Sequence, residues 1–175
     1  MKLAFTEHFR ALVQNPYIAV KEIGVLPGQR VVDIGAGKGY FAIPAAEAVG
    51  RTGLVYAVEP DPVRSRTIRE RIVAEGLQNV RVLTTGAEQL TEIPSESVDL
   101  VFSAFTLHHF NNRQAGLSEI RRVLRPGGVF YVWDRSPGTM LPHGTRAEEL
   151  NQVAVEFSKF ELLRTGRNLR ARFTK

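Results

Sequence analysis

Three glycines at alternate positions, Gly35, Gly37 and Gly39, lie just beyond Asp33 in the segment VVDIGAGKGY. Glycine serves where a backbone must turn tightly or approach a ligand with no Cβ in the way. Val31, Val32 and Ile34 read as a buried strand, and YFAIPAAEAVG after the loop reads as a helix. The glycines then fill a strand-to-helix turn. Free N–H groups and the positive dipole end at such a turn favour anionic or polar ligand groups, so a nucleotide-like cofactor is the first expectation. Glu59 ends a second apolar run, Leu54 to Val58. A carboxylate at a strand tip can accept two hydrogen bonds from ribose hydroxyls. Asp61-Pro62 just beyond reads as a helix cap and first helical residue. His108 and His109 follow the run VDLVFSA, and imidazole is the usual proton acceptor near neutral pH. Packing or helix capping is the alternative role for each of them.

Spacing separates two kinds of cofactor. The dinucleotide fingerprint G-x-G-x-x-G would put its third glycine where this chain has Tyr40. The G-x-G-x-G run found here, with Asp33 ahead of it, resembles the glycine loop of class I S-adenosylmethionine-dependent methyltransferases, whose cofactor has no pyrophosphate. The string DLVFSAFTLHHF followed by RRVLRPGG resembles small methyltransferases that act on quinone precursors and other small metabolites. The similarity covers roughly Val31 to Trp133. It implies S-adenosyl-L-methionine as cofactor and S-adenosyl-L-homocysteine as product. The implied contacts are Asp33, Gly35, Ala36, Gly37, Gly39 and Tyr40 on the loop, Glu59 after the second strand and Ser103 on the fourth. The resemblance also implies that Ala87 and Glu88 edge the adenine. Relatives usually carry an acid where Gly86 stands, so adenine recognition passes to the Ala87 N–H, with Glu88 either accepting from the amino group or standing as a solvated turn acid.

The elements that must position these groups follow the same pattern. Strands are expected at Val31, at Leu54 to Val58, at Val80 to Leu83, at Val98 to about Ala104 and over VFYVWD, with a helix from about Asn112 to Leu124. Thr145 to Ser158 has helical spacing, and FELLRT and NLRARF around Gly166-Arg167 read as a closing pair of strands. MKLAFTEHFRAL reads as an amphipathic helix with Leu3, Phe5, Phe9 and Leu12 on its apolar face, packed on the sheet or covering the substrate. The fold implied by the resemblance is α/β, a doubly wound, seven-stranded, mostly parallel sheet of order 3-2-1-4-5-7-6. Strand 7 is antiparallel, as in the Rossmann-like methyltransferase fold. Residues 1–175 then form a single domain, with 1–27 a helical cap and 28–175 the cofactor-binding core. In such sheets the ligand sits beyond the carboxyl ends of the strands, at the switch point between strands one and four.

Composition narrows the function. The chain has 175 residues and no cysteine, which removes disulfides, thiolate nucleophiles and cysteine-ligated metals. His8, His108, His109 and His143 show no metal-binding spacing, and no metal is expected. His143 is a further pocket candidate by its place after strand five. No apolar run approaches the roughly 20 residues of a membrane span, and no secretory segment opens the chain, so a cytoplasmic setting is expected. The net charge of +5 is carried mostly by arginine, with Arg121, Arg122 and Arg125 before a glycine turn and Arg164, Arg167, Arg170, Arg172 and Lys175 near the end. A basic surface can attract RNA, but a solvated face is the favoured reading. With these exclusions, the resemblance implies methyl transfer to a small-molecule acceptor of unknown identity. Methylation of RNA or protein, or cofactor binding without transfer, is the alternative. The place where amino-group nucleic-acid methyltransferases carry Asn/Asp-Pro-Pro-aromatic holds Ser103-Ala104-Phe105-Thr106, which weighs against adenine methylation.

Overall fold

In the computed structural model, residues 15–137, 144–164 and 168–175 are described. The amphipathic segment with Leu3, Phe5, Phe9 and Leu12, the pocket candidate His143 and the Gly166-Arg167 turn lie outside them. Helix α1 (Pro16–Ile23) precedes β1 (Arg30–Ile34), α2 (Ala42–Val49), β2 (Leu54–Val58), α3 (Pro62–Ala74) and β3 (Val80–Leu83). Then come β4 (Val98–Ala104), a 3-10 turn (Leu107–His109), α4 (Arg113–Val123), β5 (Leu124–Arg135), α5 (Ala147–Ala154), β6 (Lys159–Arg164) and β7 (Asn168–Thr174).

Capping side chains set three of the helix starts. Asn15, Asp61 and Asn112 each accept a backbone N–H of the first turn, and Pro16 and Pro62 supply a preset φ where no donor is needed. The strands form one sheet of order β3-β2-β1-β4-β5-β7-β6. All pairings are parallel except those of β7 with β5 and β6. The expected topology is the observed one.

Alternation along the strands builds two cores. Val31, Val55, Leu100, Phe102, Tyr131 and Trp133 face α1 and α2 on one side. Val32, Ile34, Val58, Val101, Phe130 and Val132 face α4 and α5 on the other. The sheet is thus covered on both faces, and its carboxyl edge is left to the loops. Among the described residues no helix is long and apolar enough to cross a membrane.

Candidate active site

Two clefts of about 500 and 320 Å³ open along the carboxyl edge of β1, β2 and β4. They share Gly35, Pro60, Thr106 and His109, so they form two halves of one crevice at the switch point. The larger half is walled by Ala36, Gly37, Tyr40, Phe41, Glu59 and Phe105. The smaller half adds Thr85, Gly86, Ala87 and Glu88 from the loop after β3.

The glycine loop differs from expectation in one respect. Its amides are not free. Gly35 and Ala36 both donate to the Val58 carbonyl, at 2.8 and 3.0 Å, Gly39 donates to Ala36, and Gly37 donates to Glu59 Oε2 at 2.9 Å. The local sequence conceals this, because the Val58 acceptor comes from the neighbouring strand. The loop is therefore a shaped wall rather than an anion cradle. At Gly35, φ is +74° and an added Cβ would stand 2.3 Å from Thr106 Cγ2, so only glycine lets the turn after β4 come this close. At Gly37, φ is +59° and nothing lies within 4 Å of an added Cβ, so that position opens into the crevice.

Glu59 is buried at the tip of β2 and lines the larger half. Its Oε1 accepts the Asp61 N–H at 3.1 Å, so each carboxylate oxygen has one donor. Each retains acceptor capacity for a ligand hydroxyl. Asp61 itself caps α3 through Oδ1, as the sequence suggests. Asp33 lies behind the wall rather than on it. It is 1% exposed and accepts the Ala42 N–H at the start of α2, while its Oδ2 has no hydrogen-bond partner among the described residues. Burial, with the Glu59 carboxylate nearby, pushes the Asp33 carboxyl up to about 8.

The Gly86 departure has a structural counterpart. Glu88 Oε2 lies 2.5 Å from where a Cβ on Gly86 would stand, and Oε1 accepts the Asn112 N–H at 3.1 Å. Glu88 thus fills the space over Gly86, with its carboxylate anchored at the start of α4. Ala87 lines the same half of the crevice.

Three positions fall elsewhere than the sequence suggests. Ser103 is fully buried and its hydroxyl has no partner among the described residues, because alternation turns it into the sheet layer while Ala104 reaches the crevice. The adjacent histidines separate as well. His109 lines both halves of the crevice. His108 turns inward, with Nδ1 2.9 Å from both carboxylate oxygens of Asp134. Gly39 lies behind the wall, against Ile43 and Ile68.

Sequence reasoning missed the bend that delivers His109. Phe105 has φ +59°, rare for a bulky residue, and its N–H donates to the Trp133 carbonyl at 2.6 Å. It also missed Asp134, although an acid ending an otherwise apolar strand at the carboxyl edge is the same signal that singles out Glu59.

A doubly wound sheet of this order, with an acid-tipped second strand and a glycine wall at the switch point, defines the class I methyltransferase architecture. Residues 32–132 match the methyltransferase domain family, and the chain belongs to that family. Two curated relatives stand close. The ubiquinone/menaquinone biosynthesis C-methyltransferase UbiE of Hydrogenovibrio crunogenus is 34% identical over 146 residues, 83% of this chain and 54% of that protein. The demethylmenaquinone methyltransferase of Geobacillus kaustophilus is 31% identical over 121 residues, 69% of this chain and 51% of that one. The chain thus spans about half the length of these relatives. Among solved structures, a SAM dependent methyltransferase from Aquifex aeolicus superposes with a TM-score of 0.78 at 24% identity, covering 94% of this chain and 92% of that one. That likeness concerns the fold.

Proposed function

We propose that the crevice binds S-adenosylmethionine and that the chain transfers its methyl group to a small-molecule acceptor of the quinol type. The observation that carries the cofactor reading is the loop itself. The amides of Gly35, Ala36, Gly37 and Gly39 are already engaged, which suits a cofactor without phosphates and disfavours a pyrophosphate. Glu59 takes the ribose hydroxyls, and Ala87 and Glu88 take the adenine edge, while Asp33 supports the wall from behind. Tyr40, Phe41 and Phe105 line the larger half, and aromatic rings attract a positive charge over their faces.

When bound, S-adenosylmethionine supplies an already activated methyl on a sulfonium centre. The protein's task is to hold the acceptor in line with that methyl and to exclude water. His109 is the crevice-facing proton acceptor for an acceptor that must lose a proton, as a phenol or an acidic ring carbon must. The quinone-biosynthesis relatives support the acceptor class. Incubation with methyl-labelled S-adenosylmethionine, 1,4-dihydroxynaphthalene and total RNA side by side tests it. Label in the naphthol is expected; label in RNA alone would overturn the small-molecule assignment.

A further inference from the structure

His108 is the histidine that the crevice does not use, and its surroundings are unusual. Its side chain is 6% exposed and the Asp134 side chain is fully buried. Asp134 accepts four donors: the His108 N–H at 3.3 Å, His108 Nδ1 at 2.9 Å, the Arg135 N–H at 2.8 Å and Thr145 Oγ1 at 2.8 Å. With the His108 and Arg135 backbone N–H groups and the Thr145 hydroxyl also directed at this carboxylate, Nδ1 is the donor of the ring contact. Nε2 is buried with no hydrogen-bond partner among the described residues. Asp134 thus holds His108 at two points, the backbone through its N–H and the ring through Nδ1. Directly against it stands the His109 ring, with centroids 3.9 Å apart and planes at 44°.

We infer that the buried Asp134–His108 pair positions His109, holding its imidazole at the crevice wall as the proton acceptor. The inference rests on the transferase reading for what His109 accepts, but not for the pair itself. Successive residues of β5 do the holding. The Trp133 carbonyl fixes the left-handed bend at Phe105, and the Asp134 carboxylate fixes the ring three residues on. The proton leaves the acceptor and bonds to a His109 ring nitrogen, which takes the positive charge. Asp134, one ring away, stabilises that charge. His109 is exposed and can pass the proton to solvent.

Imidazole nitrogen NMR of the protein with S-adenosylhomocysteine reads the pair without any acceptor. His108 is expected as the Nδ1–H tautomer, and Asp134→Asn is expected to change its tautomer and shift the His109 ring-proton resonances. Turnover on 1,4-dihydroxynaphthalene reads its use. Asp134→Asn and His108→Ala are expected to lower kcat on the order of 10–100-fold, with KM for S-adenosylmethionine changed less than about threefold. His108→Asn, whose amide restores an N–H toward Asp134, is expected to recover part of kcat and controls for misfolding. An Nε2–H tautomer in the unaltered protein, or His109 resonances unmoved by Asp134→Asn, would overturn the inference. Loss of turnover in His108→Ala with full turnover in His109→Ala would overturn it as well. Absence of turnover in every protein, with the resonances behaving as stated, would count against the naphthol acceptor alone.

Discussion

Glu59 takes one backbone donor on each carboxylate oxygen, from Gly37 and from Asp61, and so ties the glycine wall to the start of α3. Glu59→Gln keeps the size but presents a donor where two donors already converge. S-adenosylhomocysteine binding should weaken by about 1.5–3 kcal/mol, the usual worth of hydrogen bonds to a charged group. Calorimetry on a variant with unchanged circular dichroism checks this, and equal affinity would remove Glu59 from the ribose site. Asp33 makes a separate prediction about stability. Its carboxyl is raised from 3.8 to about 8 in the fold, so the folded chain keeps a proton that the unfolded chain releases above 3.8. The stability from that retained proton is complete below 3.8 and is lost as pH climbs to about 8. Asp33→Asn has no such proton. Its Tm relative to the unaltered protein should therefore rise across that interval and level off above it. A difference independent of pH would contradict the assignment.

At the scale of the element, two glycines of one loop should behave in opposite ways. Gly35→Ala drives a Cβ into Thr106 in the left-handed region and should destabilise the fold by at least about 1–3 kcal/mol. Gly37→Ala meets no neighbour, so its cost is the backbone strain alone, while its methyl enters the crevice. Chemical denaturation with cofactor titration separates the two: stability lost at Gly35, binding lost mainly at Gly37. The same loop shows what sequence can and cannot reveal. Strand, turn and helix are legible because the segment from Val31 through the helix after Gly39 carries its own signals, whereas the strand order comes from the family resemblance rather than from the alternation of strands and helices. The loop's amide partners are not legible, since Val58 lies on another strand. Nor is the bend at Phe105, which depends on the Trp133 carbonyl and on the missing Cβ of Gly35. The split between His108 and His109 is equally hidden, because it is decided by Asp134, 26 positions away from His108.

At the scale of the whole molecule, several of the basic side chains that the sequence groups together are paired within the fold. Arg122 bonds Glu119 and the carbonyls of Leu90 and Ile93, and Arg125 bonds Asp99. Arg170 pairs with Glu22 and lies 3.9 Å from the Trp133 ring centroid, and Lys175 pairs with Glu96. Binding to generic RNA should therefore be weak and collapse as salt rises, which filter binding at two salt concentrations checks. Tight, salt-resistant RNA binding would bring the nucleic-acid reading back. The central claim is that the switch-point crevice is built for a phosphate-free adenosyl cofactor. Isothermal calorimetry with S-adenosylhomocysteine and with NAD tests it most directly. The account predicts saturable one-site binding of S-adenosylhomocysteine that Gly37→Ala weakens, and no heat from NAD. Tight NAD binding with no response to S-adenosylhomocysteine would contradict it.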